Sequence, residues 1–449
     1  MKLQILGPRG HVAALFLAAS VAMPAGGAAQ ASSGRPGLTL QDVISASAAH
    51  PLVSSARARV EAARGSRNSA GTLPNPIAAY QIENAPFPGR AGSSGVEREA
   101  STTLTLPLES LYQRGPRIRW TDAGIRAAEA DVITVRRGIA IDALRAFYRV
   151  ALAQLAVRGA FETREGLARL LSYNMKRVAE GVAPEGELLR VQLEHDRAAT
   201  AVALARAELE RSRALLGSYL PHSTQEAWGD SLRVDAETEM ARHPVPPLAQ
   251  LIARARQCRP ELATARARLA AAEAETDLQR SLTIRQVGAT IGQKRVGLRT
   301  SMIAGLSMPL PLFDRNRGEI RRSNADRVVA EKELEWSERS LIAELAGSHR
   351  AALLISAEVA RLGSSFLNRA EEIRRITLAA YEDGAASLLQ VLDASRALND
   401  ARLAYYNALF SEQQNLLELY TASGMDPDGS FSEAAGGSCS VNSLFGAKE

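Results

Sequence analysis

Apolar residues recur at helical spacing along two long stretches of the chain, from about Arg117 to Glu180 and from about Gly318 to Tyr381. They follow a 3-4-3-4 pattern through Ile125, Ala128, Val132, Val135 and Ile139, and again through Ile355, Val359, Leu362 and Phe366, with Ile373 and Ile376 resuming the register. No proline interrupts either stretch, and ~64 helical residues extend roughly 95 Å. The pattern predicts coiled-coil seams on helices far longer than one globular domain needs, as in a tube or stalk.

Each long helix is predicted to end at a turn and double back. In the first turn, Gly181 suits a left-handed C-cap and Pro184 suits the first turn of the next helix. In the second turn, Gly384 takes the place of Gly181 and Ser387 suits an N-cap. The sequence therefore predicts two long helical hairpins.

Short segments of strict alternation precede each long helix. The apolar positions are Ala78, Tyr80, Ile82, Leu104, Leu106 and Leu108 in the first half, and Val287, Ala289, Ile291, Met302, Ala304, Leu306 and Met308 in the second. Gly-rich polar turns over residues 88–95 and 293–300 join the segments of each pair. One face is apolar and the other small or polar, which suits strands between lipid and water, each near the ~10 residues that cross a bilayer. A soluble hairpin with one face on a core has the same alternation.

The two halves repeat the same order of elements, each beginning with a helix, over 39–72 and 247–282. The segment Leu104-Thr105-Leu106-Pro107-Leu108 matches Leu306-Ser307-Met308-Pro309-Leu310, Arg114-Gly115 matches Arg317-Gly318, and Ile118-Arg119 matches Ile320-Arg321. The repeat is roughly 200 residues, far longer than a solenoid unit.

Four strands cannot close a barrel, and an open sheet edge cannot face lipid. Two chains would give eight strands with a filled interior, whereas three would give twelve and a lumen, which favours a trimer.

The N-terminus has the pattern of a secretory signal peptide. Lys2 and Arg9 precede an apolar stretch from Val12 to Met23, and Ala29-Gln30-Ala31 fits a small-x-small cleavage site. The apolar run is too short for a transmembrane anchor. The predicted organisation is a signal peptide over 1–31, a first repeat over 32–220, a linker over 221–245, a second repeat over 246–423 and a flexible tail over 424–449.

Composition narrows the class of protein. Hydrophobic residues make up 46% and charged residues 23%, which excludes a largely disordered chain. Two cysteines, Cys258 and Cys439, cannot form a disulfide scaffold or a cysteine-based metal cluster. The formal charge of +5 comes from interspersed Arg and Glu rather than a basic block, so no nucleic-acid partner is expected.

No constellation of catalytic residues is evident. None of the six histidines lies three or four residues from another, as a helical metal site would require. Glu194, His195 and Asp196 are adjacent and point to different sides of a helix. A phosphate-binding glycine loop and a Gly-x-Ser-x-Gly elbow are both missing from the sequence. The sequence therefore predicts a protein that is not an enzyme and has no cofactor and no metal site.

These motifs together resemble the TolC-like outer-membrane efflux channels. The resemblance covers roughly 38–423 and rests on the strand-to-helix crossing over 306–318 and the second hairpin tip over 384–394. The stretch Leu73-Pro74-Asn75-Pro76, followed by Tyr80-Gln81-Ile82-Glu83-Asn84, further resembles the CzcC-like heavy-metal branch. The expected fold is mainly α with a small membrane β-barrel, in which duplicated helix–strand–strand–hairpin units form a trimer. Its 12-stranded β-barrel would continue into a helical barrel.

The resemblance also implies a function and partners. The expected protein lies in the outer membrane of a Gram-negative bacterium, contacts its lipid, and extends into the periplasm. It would passively conduct substrate, in this branch heavy-metal cations, from an RND-type inner-membrane pump and a periplasmic adaptor to the exterior. Drug efflux and type I secretion are alternatives within the family, and a soluble periplasmic coiled-coil adaptor or tether is the alternative outside it.

Family members close the periplasmic end with polar contacts, and part of that gate matches here. The resemblance assigns Tyr381 and Glu187 to the gate contact, and places Asp393 and Gln390 where two aspartates ring the aperture. The family arginine two residues after the tip glycine is Ala386 here, so the matched gate is incomplete. The alternative is that these are ordinary solvated helix residues. The expected adaptor-contacting tip residues are Gly181, Pro184, Gly384 and Ser387.

Overall fold

A computed structural model of the protein describes residues 37–85, 97–222, 234 and 245–424. The predicted signal peptide over 1–31, the first strand turn, most of the 221–245 linker and nearly all of the C-terminal tail lie outside these residues. In the first half the elements are α1 (Leu40–Ser47), α2 (Pro51–Gly71), β1 (Ile77–Glu83), β2 (Glu99–Pro107), α3 (Ser110–Ala179) and α4 (Glu185–Gly217). In the second half they are α5 (Leu248–Cys258), α6 (Pro260–Ser281), β3 (Gly288–Val296), β4 (Arg299–Ser307), α7 (Arg317–Arg361), a π-helical turn (Leu362–Leu367), α8 (Asn368–Glu382) and α9 (Leu388–Ala422).

The leading helix of each half is broken by a proline. The predictions of single helices over 39–72 and 247–282 were wrong, because new helices begin at Pro51 and Pro260. A proline pushes the residue before it out of the helical region, and its own missing N–H is harmless at the first helical position. His50 is extended before Pro51 and caps α2, since its ring Nδ1 accepts a 3.2 Å hydrogen bond from the Leu52 amide.

The first long helix begins at Ser110 rather than near Arg117 and includes Pro116. Side-chain contacts secure this earlier start. The Tyr112 hydroxyl and the Gln113 amide both donate to the Ile284 carbonyl, at 2.8 and 2.9 Å. These bonds tie the first turn of α3 to the segment before β3, so long-range contacts extend the helix beyond its sequence boundary.

A π-helical turn interrupts the second long helix and changes its buried face. The seam predicted through Phe366, Ile373 and Ile376 is not buried within the single chain, because the last two side chains are each 55% exposed. Beyond the turn, Ala370 and Tyr381 are buried instead. A π turn inserts an extra residue into the helical repeat and so rotates the following helix face.

The four strands form one antiparallel sheet in the order β1-β2-β3-β4. The two repeats meet at β2 and β3, where Thr105 lies opposite Thr290 with their hydroxyl oxygens 2.9 Å apart. The prediction of a turn over 293–300 was wrong, because β3 continues to Val296 and β4 begins at Arg299. Gly297, with a φ of 55°, lies in the short connection that remains.

The sheet separates apolar from polar side chains. In register, Ala78, Leu104, Ile291 and Ala304 share one face with Leu106, Ala289 and Leu306. The other face carries Thr103, Thr105, Ser101, Thr290 and Lys294, and Lys294 forms an ion pair with Glu99. Through the middle of the sheet the predicted alternation therefore corresponds to two chemically different faces, although Gln293 and Arg295 share the apolar face and Ile303 shares the polar face.

In the described residues the helices pack around four groups of buried apolar side chains, of which the smallest contains Ala370, Leu398 and Ala401. One group centres on Phe147 and joins α1, α3 and α4. A second contains Leu251, Leu262 and Leu345 and joins α5, α6, α7 and α9. The third lies near the hairpin ends and includes Leu170 and Tyr381. No helix in the described ranges is sufficiently long and apolar to cross a lipid bilayer.

Candidate functional site at the hairpin ends

Both hairpins turn on a glycine in the left-handed conformation. Gly181 has a φ of 75° and Gly384 a φ of 77°, which confirms the conformation predicted for both. The Val182 amide donates to the Arg177 carbonyl at 2.9 Å, and the Ala385 amide donates to the Ala380 carbonyl at 2.7 Å. These bonds close the helix ends in the Schellman arrangement.

The helices that return from the two tips begin differently. Ser387 is the N-cap of α9, as predicted, and forms a capping box with Gln390. Pro184 is the N-cap of α4 and adopts an extended conformation, so its placement in the first helical turn was wrong by one position. Because Gln390 accepts a 2.8 Å hydrogen bond from the Ser387 amide, its side chain stabilises the tip of the second hairpin.

We expect Gly384→Val to destabilise the folded protein by ~1–2 kcal/mol, because a β-branched residue is strained at this positive φ. The matched control is Ala385→Val at the next, equally exposed position. Thermal unfolding of the purified protein measures the difference. Equal melting temperatures for the two variants would show that the left-handed turn contributes nothing.

Tyr381 is the centre of a buried polar contact between the two hairpins. Its side chain is 3% exposed, and its hydroxyl donates to Asn174 Oδ1 at 2.7 Å while accepting from Arg177 Nη1 at 2.8 Å. The ring meets Tyr173 edge to face at 6.0 Å, and the Arg177 guanidinium lies 5.2 Å from the Tyr381 ring centroid. The four side chains therefore fasten α8 to the end of α3.

Burial raises the pKa of Tyr381, and the positive charge of Arg177 opposes that rise. The hydroxyl consequently stays protonated at neutral pH and keeps donating to Asn174. Tyr173, Asn174 and Arg177 were missed by sequence reasoning. Their spacing on one face of α3, within two turns of Gly181, was the available signal.

The predicted gate residues occupy three different surroundings. Glu187 is half-buried and close enough to Tyr381 for its negative charge to raise the pKa of that hydroxyl. In the part of the chain that the structure describes, no hydrogen bond joins the two residues. The Asp393 side chain is 61% exposed and lies 3.5 Å from Arg396 in an ion pair. Gln390 is exposed and caps α9.

Glu194 forms a second link between the hairpins. Its carboxylate accepts hydrogen bonds of 2.6 Å from both Arg396 on α9 and Arg197 on α4. The bond to Arg396 is the main reason that the pKa of Glu194 is lowered. Sequence reasoning considered Glu194 only as a metal ligand, and among the described residues no group of His, Cys, Asp and Glu could hold a metal ion.

We expect acid to release the Glu194 link. Because the folded-state pKa lies below the ordinary value of 4.5, the stabilisation is complete above that value and is lost as pH falls through the lowered pKa. Glu194→Gln should therefore flatten the decline in melting temperature between about pH 5 and pH 3. Glu210→Gln, at a carboxylate paired with Arg213 on its own helix, is the control. If the melting temperature of Glu194→Gln falls between pH 5 and pH 3 as steeply as that of wild type, the Glu194 link does not contribute to stability.

Comparisons with known proteins relate this four-stranded sheet with two long helical hairpins to outer-membrane efflux proteins. A family model described as outer membrane efflux protein matches residues 251–425. The cobalt-zinc-cadmium resistance protein CzcC of Cupriavidus metallidurans is 26% identical over 377 residues, covering 83% of this chain and 86% of that protein. The chain is therefore similar to outer membrane efflux proteins over residues 251–425 and to CzcC over most of its length.

Solved structures show the same fold. The outer-membrane channel OprN superimposes with a TM-score of 0.72 at 20% identity, covering 86% of this chain and 89% of its own. CusC superimposes with a TM-score of 0.69 at 18% identity, covering 86% and 92%. The mainly helical fold with a small sheet expected from the sequence is confirmed.

Proposed function

We propose that the protein is the outer-membrane exit duct of a tripartite efflux system and passively conducts heavy-metal cations out of the cell. The observation that carries this proposal is the likeness to CzcC along most of both chains, in a fold shared with outer-membrane channels. The duct carries out no reaction, and an RND-type inner-membrane pump supplies the energy. The name of CzcC supports metal cations as the substrate.

The sheet edges support a trimeric barrel. Strands β1 and β4 lie at the two ends of the sheet, so each has one side available for pairing with another chain. Pairing β4 of one copy with β1 of the next is a head-to-tail contact that closes into a ring. Three copies of a four-stranded sheet give a 12-stranded barrel, with the apolar face towards lipid and the polar face towards the lumen.

Apolar side chains on the outside of the helices support the same assembly. On α4, Leu193, Leu204 and Leu215 follow at intervals of eleven residues and are 53%, 68% and 39% exposed. An eleven-residue interval keeps side chains on one side of a helix over several turns. On α8, Ile373 and Ile376 are each 55% exposed. In a helical barrel, neighbouring copies would cover the exposed leucines of α4 and the exposed isoleucines of α8. Exposed apolar patches of this extent usually mark an interface.

The hairpin ends are the proposed gate and adaptor surface. Three copies of Tyr381, Glu187, Gln390 and Asp393 would surround the periplasmic mouth. Because the tip turns are exposed, residues Gly181, Pro184, Gly384 and Ser387 are available to a periplasmic adaptor. Because Ala386 stands where the family has an arginine, closure of the periplasmic mouth would depend on the contacts of the other gate residues.

The remaining organisation follows the duplicated pattern. We assign residues 1–31 to a signal peptide, 32–220 and 246–423 to the two repeats, 221–245 to their linker and 424–449 to a tail. With the barrel in the outer membrane, the helical hairpins would extend into the periplasm. Metal passage through a wide duct does not need a high-affinity ligand set.

Fractionation and metal resistance test the proposal. In cells, we expect the protein to stay in the outer membrane after carbonate extraction and to migrate as a heat-modifiable trimer. Full release into the soluble periplasm would support a coiled-coil adaptor instead. Deletion of the gene should sensitise cells to cobalt, zinc and cadmium. If the deletion sensitises cells to drugs and not to these metals, the duct serves drug efflux instead.

A further inference from the structure

A polar cavity lies between the two hairpins, beside the buried apolar group that contains Tyr381. It has a volume of about 270 Å³ and is lined from α3, α8 and α9 by residues that include Glu162, Gly166, Arg169, Arg374 and Arg402. Arg374 is ten residues from the tip glycine, or roughly 15 Å along the helix. The cavity therefore lies close to the end of the molecule at which the hairpins turn.

The charges around this cavity are not balanced. Arg402 forms ion pairs with Glu162 at 3.0 Å and with Glu371 at 3.4 Å, so both carboxylates are already engaged by one arginine. Arg169 and Arg374 have no hydrogen bond or ion pair with any residue that the structure describes. Two guanidinium groups at one cavity thus keep most of their donor capacity for a further acceptor.

The surroundings of Arg374 are unfavourable for a positive charge. Burial lowers the pKa of Arg374, and the nearby charges of Arg402 and Arg169 lower it further. The opposing effect of Glu371 is the smallest of the four. Repulsion among three arginines beside a partly buried cavity is relieved by a bound anion, because an opposite charge stabilises each of them.

Gly166 provides the space that Arg374 occupies. A Cβ atom at position 166 would lie 2.8 Å from Arg374 Nη2, closer than real side chains approach. The backbone of α3 therefore admits the guanidinium against its surface. Any larger residue would force the charged group to move.

We propose that this cavity binds a tetrahedral oxyanion of the phosphate or sulfate class. Arg169 would contact it from the first hairpin, and Arg374 and Arg402 from the second. Guanidinium groups match oxyanions because they present several donors in a fixed plane. A bound oxyanion bridges the two hairpins near the tip, so it should stabilise their packed arrangement. The inference concerns the packing of one chain and does not depend on what the duct conducts.

Phosphate titration of the purified full-length protein tests the site. In detergent and chloride buffer at constant ionic strength, we expect sodium phosphate to bind by calorimetry and to raise the melting temperature. Arg374→Gln and Gly166→Ala should each weaken binding about tenfold or more. The matched controls are Arg375→Gln, at an exposed arginine paired with Glu372, and Gly138→Ala, where a Cβ meets nothing within 4 Å. Both controls should bind phosphate like wild type.

Several results would overturn the proposal. Equal stabilisation of wild type and Arg374→Gln would mean a non-specific salt effect. Loss of trimer in Arg374→Gln without phosphate binding by wild type would assign the arginines to a second copy of the chain. A soluble short-chain phosphatidylglycerol provides the lipid comparison. Arg374-dependent binding of that lipid, with no binding of inorganic phosphate, would exclude a free anion.

Discussion

Leu106→Arg is expected to impair assembly of the proposed membrane barrel. Leu106 is 44% exposed and lies on the apolar face of the sheet, opposite Ala289. In a membrane β-barrel an arginine costs roughly 2–4 kcal/mol at the midplane and ~0–1 kcal/mol near an interface, and Leu106 is one residue from the end of β2. Threefold symmetry would place three such charges beside lipid at once, so the penalty would be incurred three times.

Thr105→Arg is the matched control, because the adjacent residue points to the other face. Thr105 lies opposite Thr290 on the polar side, so its replacement loses one weak hydroxyl contact and places the new charge in water. We expect Thr105→Arg to assemble and to shift ion selectivity. The yield of heat-modifiable trimer in outer-membrane fractions measures both variants. If they assemble equally well, the sheet does not separate lipid from water.

The double substitution Glu187→Ala with Tyr381→Phe is expected to raise single-channel conductance in planar bilayers. Phenylalanine keeps the ring in its apolar surroundings and removes the hydroxyl that joins Asn174 to Arg177. Each lost charge-assisted or buried hydrogen bond weakens the closed packing by about 1–3 kcal/mol. In a trimer every contact is lost three times, so cells should also become sensitive to large antibiotics.

Tyr173→Phe is the control for this prediction. Among the residues that the structure describes, the Tyr173 hydroxyl donates only to the Glu382 carbonyl, at 3.4 Å, so its removal should leave the closed state nearly unchanged. If the double variant conducts like Tyr173→Phe, Glu187 and Tyr381 do not form the gate.

Asp393→Asn, in the same experiment, tests the aperture separately. It should reduce cation selectivity and inhibition by trivalent cations with little effect on assembly, because a ring of negative charge attracts cations. An unmoved reversal potential would exclude Asp393 from the aperture.

The contacts of Tyr381 show where reasoning from the sequence stopped. Its position three residues before Gly384 made it a gate candidate, but its hydrogen-bond partners, Asn174 and Arg177, are more than 200 positions away along the chain. Asn and Arg are ordinary in a helix, so their spacing on one face of α3 near Gly181 did not by itself show that they contact Tyr381. Glu194 likewise was visible as a carboxylate, whereas its pairing with Arg396 required the packing of α4 against α9.

The sequence by itself determined the features that depend on neighbouring residues. The left-handed tips at Gly181 and Gly384, the N-cap at Ser387 and the alternating strands follow from backbone sterics and side-chain periodicity, which act over a few positions. Tertiary structure decided the rest: the face buried beyond the π turn, the pairing of β2 with β3, and the meeting of Arg169, Arg374 and Arg402 at one cavity. These depend on which distant helices and strands pack together, because the free energy of burial is gained only when both surfaces are present.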